Sequence, residues 1–267
     1  MPRVRRSVLL AAILLTQAPL AAQQTEAPKA NAKATPKRVR RDPPGFYMGR
    51  RIADVMSYAG ADWLVRDTRE QEEQPEAMLD ALKIPKGATV ADVGAGVGYT
   101  SLRLSKRVGP TGTVYATDVQ PEMLRMLRAN AGQAGAANIK PVLATLKETK
   151  LPDAAIDLIL MVDVYHECPD PEAILKGLRK ALKPGGRLVL VEFRAEDPDV
   201  PIKPEHKMTL AQARREVEPQ GFSFKTSFEE LPWQHVIVFE KPTREETDRK
   251  ETGDRKQETG GKGKPGG

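Results

Sequence analysis

From residue 83 to residue 241 the chain alternates between two hydrophobic patterns. The runs ATVADVG (88–94), GTVYATDV (112–119), IKPVLAT (139–145), AIDLILMVDV (155–164) and GRLVLVEF (186–193) have the length and β-branched content of strands. Between them, residues 99–108, 121–135 and 171–182 carry apolar positions at helical spacing, and 209–221 follows as a fourth helix. Pro121 suits a first helical turn, and Pro184-Gly185-Gly186 stops the helix before it. Strands near 223–230 and 233–240, joined by the short Glu230-Leu231-Pro232 link, form an antiparallel pair. The alternation predicts a doubly wound, mostly parallel seven-stranded α/β sheet with an antiparallel edge strand. Ahead of it, 47–64 and 69–82 read as helices, forming an N-terminal helical lid over 43–82.

Outside this region the periodicity stops. Arg3, Arg5 and Arg6 precede the apolar run SVLLAAILLT (7–16), and small residues follow at Ala18, Ala21 and Ala22. That order predicts a cleaved signal over 1–22 and an exported, periplasmic protein, or a cytoplasmic one if the signal is not used. The apolar run is shorter than the ~20 residues a membrane-spanning helix requires. Residues 23–42 read as a disordered basic linker, and 242–267, with no aliphatic residue after Pro242, as a disordered charged tail. The cluster Lys37-Arg38-Val39-Arg40-Arg41 suits either a solvated linker or a weak contact with an anionic membrane surface.

Charge sharpens this division. The whole chain carries +6, yet residues 43–241 hold 26 basic and 28 acidic side chains, so the excess sits at the ends. A nucleic-acid binder concentrates positive charge on its folded domain, and no nucleic-acid partner is expected here. The single cysteine, Cys168, excludes an internal disulfide.

The chemistry begins at VADVGAGVGYT (90–100), a strand running through Gly94, Gly96 and Gly98 into a helix. Glycines there let a ligand approach the backbone, although an ordinary tight turn gives the same pattern. The spacing is G-x-G-x-G and departs from the G-x-G-x-x-G of dinucleotide sites. Asp92 at the strand end suits a cationic ligand group and repels a pyrophosphate. Asp118 ends the next strand, twenty positions after Gly98, where an acid can accept the hydroxyls of a ribose.

These stretches, with IDLILMVDVYHECPDPEAIL (156–175) and ALKPGGRLVLVEF (181–193), resemble the class I S-adenosylmethionine-dependent methyltransferases. The similarity looks closest to the branch containing small-molecule methyltransferases, such as those of quinone biosynthesis. FYMGR (46–50), VPIKPEHKM (200–208) and LPWQHVIVFEK (231–241) resemble a group of exported bacterial methyltransferase-like proteins. The resemblance implies S-adenosylmethionine as cofactor and a small-molecule methyl acceptor as partner. It implies that Asp92, Gly94, Ala95, Gly96, Gly98 and Tyr99 serve the methionine part, and Asp118 the ribose. Val119 and Met123 would then lie beside the adenine. The acid that the family often places after its third strand is replaced here by Ala144 and Thr145.

MVDVYHECPD (161–170) ends the fourth strand, at the sheet edge where doubly wound folds bind ligands. The catalytic candidates are His166 and Asp163 as base or substrate orienter, with Tyr165, Glu192 and His206 behind them. A hydrogen bond from His166 to a loop carbonyl would be a purely structural use. With three histidines in all, His166, His206 and His235, no metal site is expected. Tyr47, Met48 and Trp63 are candidates to cover the cofactor. Two alternatives stay open: a non-catalytic nucleoside-binding module on the same fold, and a nicotinamide-dependent oxidoreductase.

Overall fold

The computed structural model describes residues 42–243 and 245–246. The expected signal, the linker up to residue 41 and nearly all of the charged tail lie outside the described residues. Among the described residues no helix is long and apolar enough to cross a membrane.

Seven strands follow the predicted order: β3 (Thr89–Val93), β4 (Thr113–Asp118), β5 (Ile139–Leu143), β6 (Ile156–Val162), β7 (Leu182–Arg194), β9 (Ser223–Phe228) and β10 (Gln234–Glu240). They lie side by side as β5-β4-β3-β6-β7-β10-β9. The first five are parallel, and β10 runs antiparallel to both β7 and β9, which makes β9 the edge. A two-residue strand, β8 (Lys207–Met208), adds to the end of β7 in parallel.

Helices cover both faces, so the central strands β3 and β6 and the second half of β7 are buried almost throughout. On one face α2 (Pro75–Ala81), α3 (Tyr99–Val108) and α4 (Pro121–Gln133) bury Leu79, Leu104, Val108, Leu124 and Leu127 against Val90, Val114 and Leu160. On the other, α5 (Pro171–Ala181) and α6 (Leu210–Val217) bury Leu175, Leu178, Ala213 and Val217 against Ile159, Leu188 and Ile237. After β5 the chain crosses back to lay β6 beside β3. The adjoining C-terminal ends of β3 and β6 thereby form the switch point at which such sheets bind ligands.

The helix expected at 47–64 is not formed as such. Residues 46–51 make an antiparallel hairpin, β1 (Phe46–Tyr47) and β2 (Arg50–Arg51), and a 3-10 turn follows only at Tyr58–Val65. The cause is local: Met48 and Gly49 both take positive φ, 47° and 86°, the signature of a two-residue hairpin turn that a helix cannot accommodate. The second expected helix, 69–82, is split into α1 (Arg69–Glu73) and α2 at Gln74, whose φ is 46° and which precedes Pro75. Strand β7 begins four residues earlier than expected, because Pro184-Gly185-Gly186 is absorbed as an irregularity opposite β6 instead of forming a loop.

Candidate active site

A cavity of about 490 Å³ opens at the switch point. Its floor is the C-terminal ends of β3, β4 and β6, which contribute Val93, Gly94, Gly96, Thr117, Asp118, Asp163 and Val164. Trp63, Leu64, Arg69 and Glu73, from the 3-10 turn and α1, form one wall. Of the three residues expected to cover the cofactor, Trp63 reaches the cavity, whereas Tyr47 and Met48 do not. Tyr47 contacts Glu172 at 3.4 Å, and the Met48 carbonyl accepts from Gln212.

The glycine loop is held by its own hydrogen bonds. Gly94 and Ala95 donate to the Thr117 carbonyl at 2.8 and 2.9 Å, Gly98 donates to the Ala95 carbonyl, and Gly96 donates to Asp118 Oδ2 at 2.9 Å. Those four amides are spent internally and are not free to cradle a pyrophosphate, which counts against the dinucleotide alternative. A Cβ on Gly94 would lie 2.4 Å from Val164, and one on Gly96 would lie 2.6 Å from Leu64, so the loop packs directly under both side chains.

Of the residues assigned to the cofactor, Gly94, Gly96, Asp118, Val119 and Met123 line the cavity, whereas Asp92, Ala95, Gly98 and Tyr99 do not reach its wall. Asp92 is buried beneath the loop, where it accepts the Ser101 hydroxyl at 2.6 Å, and burial pushes its carboxyl up to about 6. Ala95 is buried below the loop, and Gly98 takes φ 90° to start α3, pressed against Leu127. Tyr99 points outward, bonded to Glu70 at 2.6 Å and stacked under Arg69 and Arg103. These four residues shape the loop from outside the cavity wall.

Asp118 uses one oxygen for Gly96 and the other for the Gln120 amide at 2.9 Å. Each carboxylate oxygen has a second lone pair, so both can accept a ligand hydroxyl. Burial holds its carboxyl above the usual range. Ala144, Thr145 and Leu146 line the cavity beyond it, at the position where the family's acid is missing. The cavity has the size and the polar and apolar ends to fit S-adenosylmethionine: an apolar slot at Val119, Met123 and Ala144, an acceptor at Asp118, and a guanidinium at Arg69.

Asp163 and His166 line the same cavity. Asp163 sits in the left-handed region at φ 54°, a strained setting of the kind that functional residues occupy. Its Oδ2 accepts from Gln234 Nε2 at 2.7 Å, while Oδ1 is buried without a partner. Burial, with Glu73 and Glu192 nearby, raises its carboxyl well above the carboxylate range.

His166 is held from three sides. Its carbonyl accepts from Arg50 Nη1 at 2.9 Å and from the Ala53 amide at 3.1 Å. Its Nδ1 lies 2.5 Å from Glu192 Oε2, and its Nε2 lies 3.0 Å from His206 Nδ1. A carboxylate only accepts, so Nδ1 carries the ring proton and Nε2 presents its lone pair. Glu192 is wholly buried, and its other oxygen accepts the Tyr165 amide at 3.0 Å. His206 comes from the 3-10 turn Pro204–His206, forty residues away in sequence. Cys168 packs behind the cavity rim, its thiol pushed up to about 12 by burial.

A methyltransferase domain model matches residues 91–190. Over 116 residues the chain is 33% identical to the ubiquinone/menaquinone biosynthesis C-methyltransferase UbiE of Enterobacter sp. (strain 638), covering 43% of this chain and 46% of that protein. The chain thus spans less than half the length of the curated relatives it matches. A SAM-dependent methyltransferase from Aquifex aeolicus superimposes at a TM-score of 0.67 with 27% identity, over 70% of this chain and 100% of that one. A possible exported protein from Bordetella parapertussis gives a TM-score of 0.50 at 21% identity, over 64% and 67% of the two chains, a likeness of fold alone.

Proposed function

We propose that this chain, which matches a methyltransferase domain over residues 91–190 and resembles the class I S-adenosylmethionine-dependent methyltransferases, transfers a methyl group from that cofactor to a small, apolar, ring-bearing acceptor. The observation that carries this reading is the continuity of one cavity from Asp118 and the glycine loop to Asp163 and His166. Bound there, S-adenosylmethionine would supply a methyl group on a sulfonium, open to in-line displacement by a nucleophile. The protein's part is to place the nucleophile, keep water out and take up a proton.

Each task has residues suited to it. Asp118 would accept the ribose hydroxyls, Arg69 would face the amino-acid carboxylate, and Val119, Met123 and Ala144 would enclose the adenine. Asp163 lies where a cationic centre would favour its ionised form. The apolar side chains of Trp63, Val55, Leu146 and Ile202 line the cavity and suit an aromatic or quinone-type acceptor. Similarity to the Enterobacter ubiquinone/menaquinone biosynthesis C-methyltransferase supports a quinone-type ring methylated on carbon. Loss of a proton from the acceptor's hydroxyl would raise electron density on the ring, and His166, with its Nε2 lone pair held by Glu192, is the base suited to that step.

We also propose that the chain acts after export, as its N-terminal sequence suggests. N-terminal sequencing of the protein from a periplasmic extract, starting near residue 23, would support this.

The deciding experiment is calorimetric titration of the full chain with S-adenosylmethionine and, separately, with NADH, followed by a screen of phenols and quinols with methyl-labelled cofactor. Binding of S-adenosylmethionine with transfer of label supports the reading. Binding without transfer across the screen favours the nucleoside-binding module, and preference for NADH sinks the assignment.

A further inference from the structure

Three metal-ligating side chains meet at the acceptor end of the cavity. One ligand atom from each of His166, Glu167 and His206 lies within 4.8 Å of the other two, and His166 Nε2 stands 3.0 Å from His206 Nδ1. From this arrangement we propose that His166, Glu167 and His206 form the seat of one divalent transition-metal ion, oriented by Glu192.

Four features of the site argue for this. First, the donor set is right. Two imidazoles and one carboxylate are the ligands with which catalytic zinc and non-haem iron sites leave a position open. Second, the spacing is right. Two nitrogens about 2.05 Å from an ion and 3.0 Å apart subtend about 94°, the angle of neighbouring ligands in a five- or six-coordinate shell. Widening that pair by only ~0.3 Å would give a tetrahedral edge.

Third, the supporting shell already exists. A histidine ligand usually donates its second ring N–H to a carboxylate, which fixes the tautomer and raises the basicity of the ligating nitrogen. Glu192 does this to His166 Nδ1 at 2.5 Å, and its other oxygen is fixed by the Tyr165 amide. His166 therefore presents an unprotonated Nε2 toward His206. In the ion-free protein His206 Nδ1–H donates to that lone pair. Loading requires that the His206 proton move to its own Nε2, which frees Nδ1, and that the two rings turn so that their lone pairs converge on the ion instead of on each other.

Fourth, the site is graded as an ion seat with an entry path should be. His166 and Glu192 are buried, whereas Glu167 and His206 are half-exposed at the cavity wall. The sequence alone argues against a metal because three scattered histidines do not make a site. The fold supplies the missing juxtaposition by bringing the turn before β8 against the exit of β6.

An open position on such an ion would face the cavity. It would hold the acceptor's hydroxyl oxygen and lower its pKa, so that the proton leaves to solvent instead of to His166. This consequence rests on the proposed methyl transfer. The seat itself does not.

The test uses the full, untagged chain stripped with a chelator and then dialysed, titrated calorimetrically with ZnSO4. A parallel titration with CoCl2 follows the d–d absorption bands. One Zn²⁺ per chain is expected, with affinity lost at least 100-fold in His206→Ala and in Glu167→Gln. Glu192→Gln should weaken it by about 10- to 100-fold, as loss of a supporting carboxylate does. Each variant is checked for thermal unfolding and for S-adenosylmethionine affinity. Wild-type protein that takes up no Zn²⁺, or takes it up as well as folded His206→Ala and Glu167→Gln, overturns the proposal. S-adenosylmethionine titrated into the zinc-free samples separates the two readings: cofactor binding without a zinc site removes only the ion, and a zinc site without cofactor binding removes only the methyl transfer.

Discussion

Glu192 Oε2 lies 2.5 Å from His166 Nδ1, with both side chains buried at the C-terminal ends of β7 and β6. In Glu192→Gln, the amide keeps one oxygen for the Tyr165 amide and turns an NH2 toward His166. The imidazole must then accept at Nδ1 and carry its proton on Nε2, so a base becomes a donor. We expect turnover to fall about 10²- to 10⁴-fold, the usual worth of a positioned base, with S-adenosylmethionine affinity nearly unchanged. Imidazole ¹⁵N NMR reads the tautomer directly, and an unaltered His166 signal in the variant would refute the argument.

Asp118→Asn tests the ribose contact. In the native protein both carboxylate oxygens accept amide protons, from Gly96 and Gln120. Asparagine has one oxygen, so its NH2 must face one of those N–H groups and leave it unpaired. A stability loss of about 1–3 kcal/mol is expected from that donor. Cofactor affinity should fall at least tenfold, seen by calorimetry. Unchanged affinity would remove Asp118 from the ligand.

Arg50 ties the β1–β2 hairpin to the catalytic end. Its Nε and Nη2 meet Glu216 Oε1 and Oε2 at 2.8 and 2.9 Å, in an ion pair nearly closed to solvent, and its Nη1 supports the His166 carbonyl. Removing one member of a buried pair strands the other's charge, so Arg50→Ala should cost about 3–5 kcal/mol in urea denaturation. Arg50→Lys keeps the charge but not the two-point geometry and should fall between. A cost within experimental error for Arg50→Ala would show that the hairpin is an ornament and not a brace.

That brace marks where sequence reasoning ended. The parallel strands and the α3 and α5 helices were legible because burial on two faces and helical periodicity leave a signal in every residue. The segment 47–57 read as helical, yet its turn at Met48-Gly49 was decided by two positive φ angles that no hydrophobic pattern records. At the site, Gly94, Gly96 and Asp118 could be read from motif spacing. The pairing of His166 with His206 could not, because His206 arrives on an irregular stretch between β7 and β8. Arg69 and Glu73 were missed for a related reason: they reach the cavity from α1, an element with no ligand motif of its own. Conversely, Asp92 and Tyr99 belong to the motif yet hold the loop from behind, since a motif records what a loop needs to form as well as what it binds.

The last prediction concerns Asp163 and pH. Its carboxyl is raised well above the ordinary range by burial first, then by Glu73 and Glu192, and is eased by Gln234 and Arg69. In the unfolded chain an aspartate loses its proton near pH 3.9. Above that pH and up to the folded pKa, the native protein keeps a proton that the unfolded chain has released. Native stability therefore falls as pH rises through that window and levels off beyond it. Asp163→Asn removes the penalty at little cost. Asparagine tolerates φ 54°, its oxygen can take the Gln234 hydrogen bond, and its NH2 stands where the protonated carboxyl would carry O–H. The variant should match wild type at about pH 4 and exceed it increasingly toward pH 8 in urea denaturation, by one to a few kcal/mol for each unit or two that the group is shifted. Its cofactor affinity should drop, because a neutral amide gives a sulfonium none of the attraction of an ionised carboxylate. A stability difference that stays flat across this range would mean that Asp163 is already ionised in the folded protein and that the cavity's acceptor end is far better solvated than its burial implies.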